Sequence, residues 1–129
     1  MNTSIRGTIS RAARSKLIAK IEAQLGRSVE VVYGAGRTAF APKTGKIFLR
    51  GVDDDLIPRG TFFEEIQHLI DDAAGLNPRS IPASGSLEDA IFHREVFERM
   101  IDNPLLDISD IDGLSLLAVL EDVIKGLSR

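Results

Sequence analysis

Thr61-Phe62-Phe63-Glu64-Glu65-Ile66-Gln67-His68-Leu69-Ile70-Asp71-Asp72 is the stretch on which the reading of this chain turns. It has the pattern of one amphipathic helix. On a helical wheel Phe62, Phe63, Ile66, Leu69, Ile70 and Ala73 share an apolar sector. Glu64, Glu65, His68, Asp71 and Asp72 fill the opposite one. Residues three and four apart are neighbours on a helix surface, so two carboxylates and an imidazole fall within one turn of each other. That grouping can hold a divalent metal and activate water. It is also what an ordinary solvated helix face looks like.

The whole chain sets the bounds. Its 129 residues suit one domain, 1–129, large enough to bury a core without staples. An apolar fraction of 43% and a charged fraction of 27% are those of a globular protein. The net charge of −3, with the sixteen Lys and Arg scattered, gives no argument for nucleic acid. Arg6, Arg11, Arg14, Lys16 and Lys20 make a mildly basic start, read as the wetted side of a helix. Cysteine is absent, which excludes disulfides, a thiolate zinc site and a Cys nucleophile. No apolar run approaches the ~18 residues of a membrane span. Met1-Asn2-Thr3-Ser4-Ile5-Arg6 lacks the apolar core of a secretory signal, so export would depend on a segment outside this sequence.

Working outward from the central stretch, residues 1–9 read as a loose polar segment. Leu17, Ile18, Ile21 and Leu25 share one face of a helix over about Ser10–Leu25, and Gly26 stops it. Val29 and Val31 alternate with polar neighbours as in a strand, broken by Gly34-Ala35-Gly36. Thr38–Ala41 and Lys46–Arg50 flank the turn Pro42-Lys43-Thr44-Gly45 and predict a hairpin. Gly51–Gly60 is an Asp-rich loop. Thr61 and Glu64 fit a capping box at the start of the central helix, and Gly75 ends it. A connector over 76–85 follows. Ser86 with Asp89 starts a further helix, stopped by Pro104, and a last one begins near Ser109 or Asp110. The expected fold is α+β: a small antiparallel sheet of about three strands packed with about four helices.

The strongest candidate for chemistry is Glu64-Glu65-x-x-His68. In the H-E-x-x-H helix of metalloproteases, two imidazoles at i and i+4 take the metal and the Glu between them takes a proton from water. Here the first imidazole position is Glu64, whose carboxylate is an acceptable zinc ligand at about 2.0–2.2 Å. Glu65 keeps the position of the base. A catalytic site needs a third protein ligand. Glu88 and Glu95 share one face of the next helix and His93 lies roughly opposite, so they are competing options. Each residue also has a plainer reading. Glu64 would be only the cap partner of Thr61, Glu65 and Asp72 solvated charges, and His68 a partly buried imidazole. Glu95 and Arg99 would be an i,i+4 ion pair, and His93 a surface residue. Other chemistries have less behind them: no G-x-S-x-G occurs, Gly34-Ala35-Gly36 lacks the rest of a phosphate loop, and Asp53-Asp54-Asp55 lacks calcium-loop spacing.

Three parts of the chain together resemble a family. Phe40-Ala41-Pro42-Lys43-Thr44-Gly45-Lys46-Ile47-Phe48-Leu49 is similar to a strand-turn-strand placed before an active helix. Thr61-Phe62-Phe63-Glu64-Glu65-Ile66-Gln67-His68 resembles an F-x-E-E-x-x-H form of the zincin helix. His93–Asn103 resembles a downstream helix carrying an acidic residue. The family is the zincin-like metallopeptidase domains at the C-termini of bacterial polymorphic toxins. The resemblance implies a zincin-like fold and a divalent metal, zinc foremost. It implies Glu65 as general base, His68 as metal ligand and Glu95 as third ligand, with Glu64 standing where a typical zincin has its first ligand His. It further implies hydrolysis of a peptide or amide bond in a protein or peptide substrate. The domain would be exported within a larger protein and held in check by an immunity protein in the producing cell. The rival expectation is a non-catalytic binding domain, of immunity or adaptor type or a degenerate zincin, whose acidic helix faces contact a protein partner.

Overall fold

Ser10, Ser86 and Ser109 each begin a helix, and each does so by the same local device. The seryl oxygen accepts from the amide three residues on, at Ala13, Asp89 and Asp112. The computed structural model describes residues 5–36, 38–41, 44–50, 56–77 and 82–128. Within them the order is β1 (Thr8–Ser10), α1 (Arg11–Leu25), β2 (Glu30–Tyr33), β3 (Ala39–Ala41), β4 (Lys46–Leu49), β5 (Leu56–Pro58), α2 (Arg59–Ala73), α3 (Leu87–Asp102) and α4 (Asp110–Leu127). This is an α+β fold of four helices and two small sheets. No helix is long and apolar enough to cross a membrane among the described residues.

The larger sheet is mixed, not antiparallel. Its order is β2-β4-β3, with β2 parallel to β4 and β3 antiparallel to β4. The cause lies in the turn after β2. Gly34 takes a φ of 71°, which costs glycine little. The next amide, Ala35 N–H, then donates to Leu49 O at the end of β4. The chain is thereby carried across β4, and β3 pairs on the far side. The apolar strand Lys46-Ile47-Phe48-Leu49 takes the centre, with Ile47 and Leu49 buried.

The N-terminal segment, expected to be loose, is built into the fold. Ile5 is buried, and β1 pairs antiparallel with β5 in the register Ile9↔Ile57, both of them buried. The expected Gly51–Gly60 loop therefore contains a strand; its Asp53-Asp54-Asp55 lies outside the described residues. Arg14 is not on a wetted face. It is buried, donates to Ile9 O at 2.8 Å and to the Tyr33 hydroxyl at 3.1 Å, and lies over the Tyr33 ring. A backbone oxygen and a phenol thus take the charge into the core with its hydrogen bonds made.

The central helix starts two residues before the expected cap. Arg59 N–H donates to Gly7 O of the β1 segment, so a strand satisfies the first free amide of α2. Pro58 is the N-cap and no side chain caps the helix. Glu64 is therefore not a capping-box partner.

α2 packs against α1, α3, β1, β3, β4 and β5. Phe62, Phe63, Ile66 and Leu69 join Ile21, Ile47, Val96, Phe97, Met100, Leu116 and Leu120 in one continuous core. α4 packs on α3. At the base of α2, Arg6 and Arg59 each meet Asp112 of α4 at 3.0 Å. The Arg6 hydrogen bond holds the Asp112 carboxyl below its usual range.

Candidate metal centre

A helix surrounded on most sides has nowhere to put a polar face in water. On α2 the supposed solvated sector is buried: Glu64 is 3% exposed, Glu65 4% and Asp71 1%. A buried carboxylate needs a partner or a proton. The three find different solutions.

Asp71 has a structural one. Arg99 of α3 grips it with two bonds, Nε to Oδ1 at 3.0 Å and Nη2 to Oδ2 at 2.9 Å. Gln67 Nε2 donates to the same Oδ1, and Asn103 Nδ2 donates to Gln67 Oε1. This chain of bonds ties α2 to α3 at a fixed register. It also takes the Arg99 guanidinium to Asp71, where the sequence suggested Glu95.

Glu64 meets α3 about two turns further toward the N-terminus of α2. Its Oε1 lies 3.7 Å from Nε2 of His93. A ring nitrogen of His68 joins them, and the three ligand atoms all lie within 4.8 Å of one another. The two imidazoles stand nearly perpendicular, 89° apart with centroids at 5.9 Å. His68 stacks on Phe92 at 5.8 Å, and His93 meets the Phe97 ring edgewise at 6.0 Å. Asn77 Nδ2 donates to His68 O and holds the end of α2.

Glu65 is next to Glu64 and takes the third solution. Its Oε2 is buried with no hydrogen bond among the described residues. Burial raises its carboxyl to about 8, and the Glu64 charge pushes the same way. Burial also raises Glu64. It lowers His68 to about 4, with His93 acting in the same direction. Desolvation thus disfavours the charged forms of Glu64, Glu65 and His68, and a cation beside the carboxylates would reverse that balance for Glu64 and Glu65.

The residues suit a divalent ion in two respects. Two imidazole nitrogens and one carboxylate oxygen form the donor set of a catalytic zinc with a fourth position open. Zinc bonds of about 2.0–2.1 Å in tetrahedral geometry need ligand atoms ~3.3 Å apart. Glu64 and His93 are close to that already at 3.7 Å, and no two of the three ligand atoms lie more than 4.8 Å apart.

Of the residues singled out in the sequence, Glu64 and His68 are brought together with His93, and Glu65, next to Glu64 on α2, is buried and feels the Glu64 charge. Glu95 and Glu88 are exposed and stand outside the group; His93 occupies the third position instead. The signal for His93 was present. Ala90, His93, Phe97 and Met100 follow one another at spacings of three and four, so the histidine sits inside the stripe that buries against α2. Comparison of the chain with known protein families, with curated proteins and with solved structures gives no match.

Proposed function

We propose that the chain is a metal-dependent hydrolase of zincin-like arrangement, acting on a peptide or amide bond. The observation that carries this reading is the convergence of Glu64, His68 and His93 within 4.8 Å, with the buried Glu65 carboxyl beside them. A purely structural core gains nothing from two adjacent buried carboxyls and two imidazoles. When bound, a divalent ion supplies Lewis acidity and makes water acidic enough to ionise near neutral pH.

The chain's own residues do the remainder. Glu64, His68 and His93 hold the ion, with His93 in the place that the zincin resemblance gives to Glu95. Glu65 accepts the proton of the attacking water and delivers it to the leaving nitrogen. A carboxyl near 8 in the metal-free site is poised for both transfers, since a neighbouring cation draws it down toward working pH. The toxin role implied by the resemblance, with an immunity protein as partner, belongs to the same proposal. The docking alternative draws less support, because Glu64, Glu65 and Asp71 are buried away from any basic partner.

The test is metal analysis after zinc loading and dialysis, beside hydrolysis of an unstructured protein substrate and growth of cells expressing the domain. Near-stoichiometric zinc, with hydrolysis and toxicity abolished by Glu65→Gln, is the expected result. Zinc-free protein, or a Glu65→Gln variant as active as the parent, would remove the proposal.

A further inference from the structure

An imidazole can ligate a metal only through a nitrogen that carries no proton, so the site depends on which tautomer His93 adopts. Nδ1 of His93 lies 2.9 Å from the backbone oxygen of Asp89 and 3.1 Å from its carboxylate Oδ1. Both oxygens only accept. Nδ1 must therefore carry the hydrogen, and in the neutral ring Nε2 is bare. Nε2 is the atom that faces Glu64.

The Asp89 carboxylate is itself held. Its other oxygen, Oδ2, accepts from Gly85 N–H at 3.3 Å. Gly85 presents that amide with a φ of 80°, a conformation that suits glycine. The Asp89 N–H donates to the Ser86 hydroxyl, the N-cap of α3. Asp89 thus bonds the last residue of the connector, Gly85, and the N-cap Ser86, and reaches along one turn to the ring at i+4. Its side chain is 13% exposed, as is that of His93, so water competes weakly for the contact.

We propose that Asp89 is a positioning residue of the metal centre: its carboxylate fixes His93 as the Nδ1–H tautomer, directs Nε2 at the ion and makes the ring a stronger donor. This rests on the metal-centre reading above. Carboxylates behind ligating histidines act in this way, and their loss weakens metal affinity about 10- to 100-fold.

Nitrogen-15 correlation spectra of the full chain read the tautomer directly, and chelator competition reads zinc affinity. The expected wild-type result is a protonated Nδ1 and a bare Nε2 on His93 before metal is added. Asp89→Ala should then bind zinc about 10- to 100-fold more weakly. It should keep the visible absorption of the cobalt form, because the ligands themselves are unchanged. Asp89→Asn, which retains an acceptor but not the charge, should fall between the two. Ser86→Ala weakens the same helix start without touching the carboxylate, and should bind zinc as wild type does. A His93 ring protonated on Nε2 would overturn the proposal. So would wild-type affinity in Asp89→Ala, or an equal loss in Ser86→Ala. Failure of the metal-centre reading looks different: wild-type protein would bind no zinc while His93 still showed the bare Nε2.

Discussion

His93 Nε2 and Glu64 Oε1 face each other across the α2–α3 junction at 3.7 Å, farther apart than a hydrogen bond and close to the spacing of two ligands on one ion. This relationship separates His93 from the other third-ligand options. His93→Ala, His68→Ala and Glu64→Gln should each weaken zinc binding by more than the roughly 10- to 100-fold expected of an outer-shell change. Glu95→Ala, at an exposed position, should leave affinity unaltered. Competition with a chromogenic chelator measures all four. A loss in Glu95→Ala with none in His93→Ala would return the third ligand to Glu95.

The metal-free protein should be most stable at mildly acidic pH. The Glu65 carboxyl is raised in the fold from 4.5 to about 8, so the folded state holds a proton that the unfolded state releases. Stability from this group falls as pH rises from about 4.5 to 8. The His68 imidazole is lowered from 6.5 to about 4, so its contribution falls as pH drops through that range. The two slopes oppose one another between 4.5 and 6.5 and leave a plateau there. Glu65→Gln should shrink the alkaline decline, on the order of a few kcal/mol in wild type, and leave the smaller part that comes from the raised Glu64 carboxyl. Urea unfolding in a chelator, repeated from pH 4 to 9, would show a flat alkaline limb in wild type if the group is not buried as described.

Asp71 and Arg99 make the one charge pair that joins α2 to α3 with two bonds among the described residues. Removing either partner of a buried pair costs about 3–5 kcal/mol. Arg99 is 31% exposed, so water can reach its freed head and Asp71→Ala belongs at the low end. Arg99→Ala strands a carboxylate that is 1% exposed and should cost more. Denaturant midpoints of the two variants test the order. A larger loss for Asp71→Ala would show that the burial asymmetry does not govern the energy.

Two glycines of α4 offer a contrast. A Cβ at Gly126 would meet nothing within 4 Å, so Gly126→Ala should gain the ordinary helix preference, up to about 1 kcal/mol and less if the last turn frays. A Cβ at Gly113 would lie 3.2 Å from Ile101 Cγ1 on α3. The same propensity gain is then offset by the displacement of a neighbour, and Gly113→Ala should be the less stable of the two. Thermal unfolding ranks them, and the reverse order would mean that the α3–α4 seam is looser than the structure shows.

The sequence shows its helices where their signals are local. Ser10, Ser86 and Ser109 bond an amide three residues away, so each start is written within four positions. Thr61 carries the same pattern, but α2 begins earlier because a distant strand supplies the acceptor at Gly7. Strand order fails for a similar reason. Alternation marks β2, and the turn Pro42-Lys43-Thr44-Gly45 marks β3 and β4, yet neither says which strand lies between the others; that is decided by the Ala35–Leu49 bond. At the site, Glu64, Glu65 and His68 are legible because one helix spaces them. His93 reads as a surface histidine until the stripe through Ala90, Phe97 and Met100 is traced. Arg14 reads as wetted because its acceptors, Ile9 O and Tyr33, are invisible to periodicity.

The Arg6–Asp112 bond joins positions 106 residues apart, and β1 finds its partner only in β5. A chain leaving the ribosome therefore presents its first strand long before anything exists to pair with it. α2, with its adjacent carboxyls, emerges ahead of the helix that carries His93. Until α3 follows, neither Arg99 nor His93 is there to meet it, and no three-ligand site can close. On the reading proposed above, the metal centre would close only once α3 has emerged and docked on α2, so metal capture would follow the pairing of these two helices.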